Sequence, residues 1–143
     1  VIGRPTAVAL IAAGVVLTAT AMVLPWYSTA YAGGVEVVVR AWGTEVVNKP
    51  GDWPAGDLSP WYGLPVAVTA ALLVAGIWVN RAALAGAAAQ LGALGITAAL
   101  VVSDRGHAIE QQGDFALGFG LVFLVIGTLT ALVGAISVQR EAA

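Results

Sequence analysis

A single histidine, His107, stands among Asp104, Glu110 and Asp114. Imidazole with carboxylates can ligate a divalent metal, so this stretch holds the groups in the chain best suited to metal chemistry. The spacing matches no defined metal motif, and Ser103-Asp104-Arg105-Gly106-His107 also reads as a solvated turn after a helix end. Acid–base catalysis by a carboxylate pair requires a cleft and tuned pKa values, and nothing in this acidic stretch implies either. Cysteine is absent, which removes thiol catalysis, thiolate metal sites and disulfides together. The expectation is therefore a protein that is not an enzyme, with no catalytic, cofactor or metal site and no small-molecule substrate of its own.

Two further constellations suit binding rather than catalysis. Val35, Val37, Val39 and Ala41 alternate with Glu36, Val38, Arg40 and Trp42, the period of two that puts successive side chains on opposite faces of a strand. Glu36, Val37, Val39, Arg40 and Trp42 are the candidate interaction surface, because valine-rich strands with unsatisfied edges invite a partner strand. A second short run at Glu45-Val46-Val47, with Gly43 before it, makes either a β-hairpin or one strand with a glycine bulge. The other polar residue of interest is Gln90, which lies about halfway along an otherwise apolar stretch. It is expected to hydrogen-bond between helices, a contribution of about 1 kcal/mol.

The elements that carry these residues are set by hydropathy. Apolar stretches at 6–24, 61–79, 82–102 and 115–138 contain no Asp, Glu, Lys, Arg or His. A bilayer core about 30 Å thick takes about 20 helical residues, since only a self-satisfied backbone is stable in lipid. With 59% hydrophobic and 10% charged residues, the chain reads as a single-domain, all-α membrane protein. It is expected to be a four-transmembrane-helix bundle with a small extracytoplasmic β-hairpin or sheet in its first loop, 25–60, and a short second loop, 103–114. Ser59-Pro60 reads as an N-cap with proline at the first helical position of the second span. The first span is taken as a retained helix rather than a signal peptide, because Pro25-Trp26-Tyr27 is an interfacial anchor and a poor cleavage context. A chain beginning at Val1 rather than Met is expected to lack a few upstream residues.

Four spans place both termini on one side, with Arg4, Arg81 and Arg140 and the turn at Asn80-Arg81. The other side holds Arg40, Lys49 and Arg105 among seven acids. Lys and Arg counts tie, but Arg4 and Arg81 abut helix ends, where they act on insertion. Both termini are therefore assigned to the cytoplasm, in a multi-pass protein of the inner membrane. A net charge of −2 without a basic run argues against nucleic-acid binding.

Within the spans small residues are ordered. Gly120, Gly127 and Gly134 recur every seven residues, with Thr130 and Ser137 placed on the same side, while Ala85, Ala88, Ala89, Gly92, Ala93 and Gly95 line the third span. Small seams permit the close van der Waals contact through which helices associate in lipid, so packing inside the bundle is expected for them. Leu121, Phe123, Leu124 and Leu132 are then expected to face lipid or a neighbouring subunit. Carriers place ionisable residues or broken helices near the midplane; these spans have none.

The layout of four spans, a long strand-forming first loop and a short second loop resembles the claudin-like tetraspan architecture, and Trp42-Gly43 is loosely similar to part of its first-loop signature. The paired cysteines of that signature are missing. The alanine, valine and glycine bias is similar to that of small actinobacterial envelope proteins, which include accessory subunits of lipid-importing MCE transporters and of respiratory supercomplexes. These resemblances imply a non-enzymatic accessory or stabilising subunit of a larger integral membrane complex embedded in the lipid bilayer. An MCE-type lipid transporter is preferred as host over a respiratory supercomplex. The alternatives are a small transporter or channel and a claudin-like self-associating protein.

Overall fold

The computed structural model describes residues 3–48, 51, 56 and 62–142. The expected helix start at Ser59-Pro60 and most of the first loop after Asn48 lie outside the described residues. Four helices carry the chain: α1 (Arg4–Val23), α2 (Gly63–Ala75), α3 (Asn80–Glu110) and α4 (Phe119–Ala142). Of these, α1, α3 and α4 are long and apolar enough to cross a membrane. The described part of α2 has 13 residues, about 20 Å of helix. Its start abuts the backbone of Ala41 and its end abuts Ala83 at the opposite pole, where Arg4 of α1 also donates a hydrogen bond to Asn80 Oδ1 at 3.1 Å.

The first difference from the sequence reading is in the segment 103–114, expected as a loop. Helix α3 continues through Ser103–Glu110 because that run has no proline and keeps a buried face: Asp104 is half-buried and Ala108 fully so. The helix ends only where Gln112 adopts a left-handed φ of 58°. There Gly113 N–H bonds the Ala108 carbonyl and Gln112 N–H that of Ile109, the paired bonds of a Schellman C-cap. At 31 residues, α3 is about 46 Å long and overshoots a bilayer core. The turn between α2 and α3 likewise sits at Gly76–Val79 rather than at Asn80-Arg81, which already begins α3.

The second difference is the sheet. The predicted hairpin is present as β2 (Glu36–Arg40) and β3 (Gly43–Val47), turning at Ala41-Trp42. Two strands that periodicity did not reveal complete it: β1 (Tyr27–Ala30) and β4 (Asp114–Leu117), the latter formed by the last residue of the expected second loop and the first three of the expected fourth span. The order is β3-β2-β1-β4, antiparallel throughout. Gly33 and Gly34, at φ of 82° and 80°, make the turn from β1 to β2, a conformation that side chains other than glycine's resist. A lone hairpin is marginal in water; here four strands close over one end of the bundle.

Burial divides into two apolar clusters. One joins sheet to helices through Trp26, Tyr27, Val39, Ala41, Val66, Ala93 and Leu124; the other packs Ala7, Ile11, Leu73, Ala87, Ala131 and Val138 at the far end. Leu124, expected to face lipid, is fully buried. The buried positions of α4, among them Gly120, Leu124, Gly127, Ala131, Gly134 and Val138, follow three- and four-residue steps. That places Leu124 on the glycine side and turns Val122, Val125, Leu129 and Val133 outward.

Candidate interaction surfaces

Between the two apolar clusters lies one polar layer. Gln90 of α3 is fully buried, and its Nε2 donates to Thr18 Oγ1 of α1 at 2.8 Å and to Thr128 Oγ1 of α4 at 3.0 Å. Each threonine hydroxyl in turn donates to its own helix, Thr18 to the Gly14 carbonyl and Thr128 to the Leu124 carbonyl. Both hydroxyl protons are thereby committed, so the threonine oxygens can only accept, which fixes the orientation of the Gln90 amide. Three helices are tied at one depth. The Gln90 Oε1 has no hydrogen-bond partner. Thr18 and Thr128 were not singled out from the sequence, although hydroxyls at the depth of a lone glutamine were the available signal.

The glycine seam is a helix contact inside the molecule. A methyl group on Gly127 would lie 3.0 Å from the Gly14 carbonyl oxygen and from Thr18 Oγ1, and one on Gly134 would lie 2.7 Å from the Ala7 carbonyl oxygen. Gly120 is closed off by the Pro25 and Leu24 carbonyls and the Trp26 ring. Thus α1 and α4 meet backbone to backbone along their length. Thr130 and Ser137 stand apart from it, each hydrogen-bonded to its own helix. Gly92 differs from the seam glycines. Nothing lies within 4 Å of a methyl group placed there, nor at Gly95. Ala85, Ala88, Gly92, Gly95 and Ala99 are all exposed, and their alternating steps of three and four put them on one face of α3. That face points away from the side holding Ala83, Gln90 and Thr97, which are buried.

At the sheet the candidate residues separate by face. Val39 is buried against Trp26 and Tyr27, so it belongs to the fold's own core rather than to an outer surface. Val37, two residues earlier on the same face, is half-buried opposite Thr29 and Val46. Glu36 and Arg40 lie on the other face. Arg40 reaches the carbonyl of Val23 at the end of α1 at 3.4 Å and Glu45 at 3.6 Å. Trp42, in the β2–β3 turn, is 40% exposed. Arg40, Trp42 and Glu45 border a cleft of about 480 Å³ against Met22 and Val23.

The acidic stretch is divided among separate tasks. Asp104 accepts a hydrogen bond from the Tyr27 hydroxyl, which joins the long helix to the sheet. Burial, then the Asp104 carboxylate and the neighbouring Tyr62, push the Tyr27 hydroxyl above its ordinary range. His107 faces Glu110 at 4.0 Å with both side chains largely exposed, and among the described residues no three potential ligands gather into a metal-holding group. The pairing of Tyr27 with Asp104 was not legible in the sequence because neither strand β1 nor the helical continuation of α3 was anticipated. No protein-family model matches the chain, and no curated protein matches it in sequence.

Proposed function

We propose that this chain is a four-span, non-enzymatic accessory subunit of a larger complex in the cytoplasmic membrane. In this reading α2 crosses with the three longer helices, both termini are cytoplasmic and the sheet stands outside. The observation that carries it is the contrast among glycines. Gly14, Gly127 and Gly134 are filled by the protein's own helices, whereas Gly92 and Gly95 face outward with open space above them. In lipid there is no hydrophobic gain from hiding apolar surface, so helices join where small residues let backbones approach. The outward face of α3 fits a transmembrane helix of a larger subunit. The polar layer supports the same reading, because both amide donors of Gln90 are held by Thr18 and Thr128. The apolar stretch 82–102 that carries Gln90 contains no Asp, Glu, Lys, Arg or His. For the host, an MCE-type lipid transporter is favoured over a respiratory supercomplex by compositional resemblance alone.

Affinity purification in mild detergent followed by mass spectrometry is the test. The chain should bring down much larger membrane proteins, and Gly92→Leu should lose them while keeping wild-type melting. Purification as a homo-oligomer without larger partners would replace this reading with claudin-like self-association, and solute flux into liposomes holding the chain alone would replace it with a transporter or channel.

A further inference from the structure

We infer that the groove between the sheet-proximal halves of α3 and α4 holds an acyl chain of one phospholipid whose phosphate is bound by Arg105. The groove has a volume of about 430 Å³ and is lined by Leu94, Ala98, Val101, Leu117, Leu121 and Val125 among others. Its walls are almost wholly apolar, and a slot that protein atoms leave unfilled forfeits dispersion contacts that a hydrocarbon chain supplies.

A charge at the correct depth selects a phospholipid as occupant. Arg105 follows Ala98 by seven residues, Val101 by four and Val102 by three, so it stands on the groove face one turn beyond the last lining residues. It is exposed and makes no ion pair or hydrogen bond among the described residues. The acids around it are placed elsewhere. Asp104 points to Tyr27, Glu110 faces His107, and Asp114 lies on the strand face opposite Leu117. The other arginine of α3 is Arg81 at the far end, about 36 Å away at the helical rise, and His107 faces Glu110. Arg105 is thus at headgroup depth if the apolar part of α3 occupies the bilayer core. A phosphate diester meets an unpaired guanidinium directly and in bidentate fashion. A hydrophobic helix seated in the groove brings no such group.

The test uses the purified full chain in detergent, with dioleoylphosphatidylglycerol, dioleoylglycerol and glycerol 3-phosphate as probes, read by native mass spectrometry and by melting. Phosphatidylglycerol should be retained at one copy, about tenfold better than dioleoylglycerol, given one charge-assisted hydrogen-bonded pair. Arg105→Gln should abolish that preference, and Ala98→Phe, at an exposed position that fills the groove, should reduce retention of both lipids. Arg140→Gln, at the far end of α4, should change neither. Unaltered lipid preference in Arg105→Gln would overturn the proposal, as would equal loss in Arg140→Gln or full retention in Ala98→Phe. Stabilisation by glycerol 3-phosphate equal to that by the lipid would assign Arg105 to free phosphate instead. A photoreactive p-benzoylphenylalanine in place of Val122, irradiated in membranes, should give an adduct of phospholipid mass; an adduct to another polypeptide would make the groove a protein interface and overturn the lipid.

Discussion

Gln90 and Tyr27 each carry a polar tie between elements, and they differ in how openly the sequence declares them. A glutamine in an uncharged apolar stretch has only helix partners to meet, so its bridging role follows from its surroundings. Which helices it meets depends on rotation about three axes, which no single stretch encodes. Tyr27 looked like an interfacial anchor because it adjoins Pro25-Trp26; its acceptor, Asp104, is 77 residues away. That pairing makes a prediction about pH. The folded state holds the Tyr27 proton above the ordinary value of 10.0, while the unfolded chain releases it near that value. The resulting stability is therefore complete below about pH 10 and is lost as pH rises further. Tyr27→Phe should cost about 1 kcal/mol at neutral pH through the lost hydrogen bond and should show a shallower fall in melting temperature between mildly and strongly alkaline buffer than wild type. Parallel declines of the two proteins would remove Asp104–Tyr27 from the account of stability.

At the scale of elements, helices were legible wherever apolar runs exceeded a bilayer's width, and their ends were not. Ser103–Glu110 looked like a loop because it is polar. Its helical state goes with tertiary contacts that the run itself does not show: Ala108 is buried, and Tyr27 of the sheet engages Asp104. Similarly, Phe115–Leu117 was counted into the fourth span by hydropathy, with Asp114 in the loop before it. Asp114–Leu117 forms a strand because Tyr27–Ala30 offers it a complete ladder and Gly118 N–H closes onto the Trp26 carbonyl. The seven-residue glycine period was readable, and so was its consequence. Gly127→Leu must separate α1 from α4 and should cost about 1–3 kcal/mol, as overpacking does. Gly92→Leu meets no atom within 4 Å and should be neutral or stabilising by up to about 1 kcal/mol, since glycine is a poor helix former. Denaturation of the two variants side by side in detergent measures this. Equal loss in both would mean that the outward face of α3 is packed after all, and equal neutrality would dissolve the α1–α4 seam.

For the molecule as a whole, the sheet fixes a polarity that no single helix has. Strands β1, β2 and β3 follow α1, and β4 precedes α4, yet all four pair in one sheet, so the C-terminal ends of α1 and α3 and the start of α4 share one pole. Arg4 and Asn80 meet at the other. A sheet carrying Glu36, Glu45 and Asp114 is costly to bury in hydrocarbon, and in the proposed orientation Arg4 and Arg81 at helix starts would hold their own pole in the cytoplasm. Because the chain has no cysteine, single cysteines report position without background. One in place of exposed Gln111, just past the end of α3, should react with an impermeant maleimide in intact cells. One in place of Arg140, in the last turn of α4, should react only after permeabilisation. Labelling of Arg140→Cys but not Gln111→Cys in intact cells would invert the molecule and put the sheet, and any partner it meets, in the cytoplasm. Labelling of both would contradict the shared pole of α3 and α4 and with it the single sheet that holds the helices together.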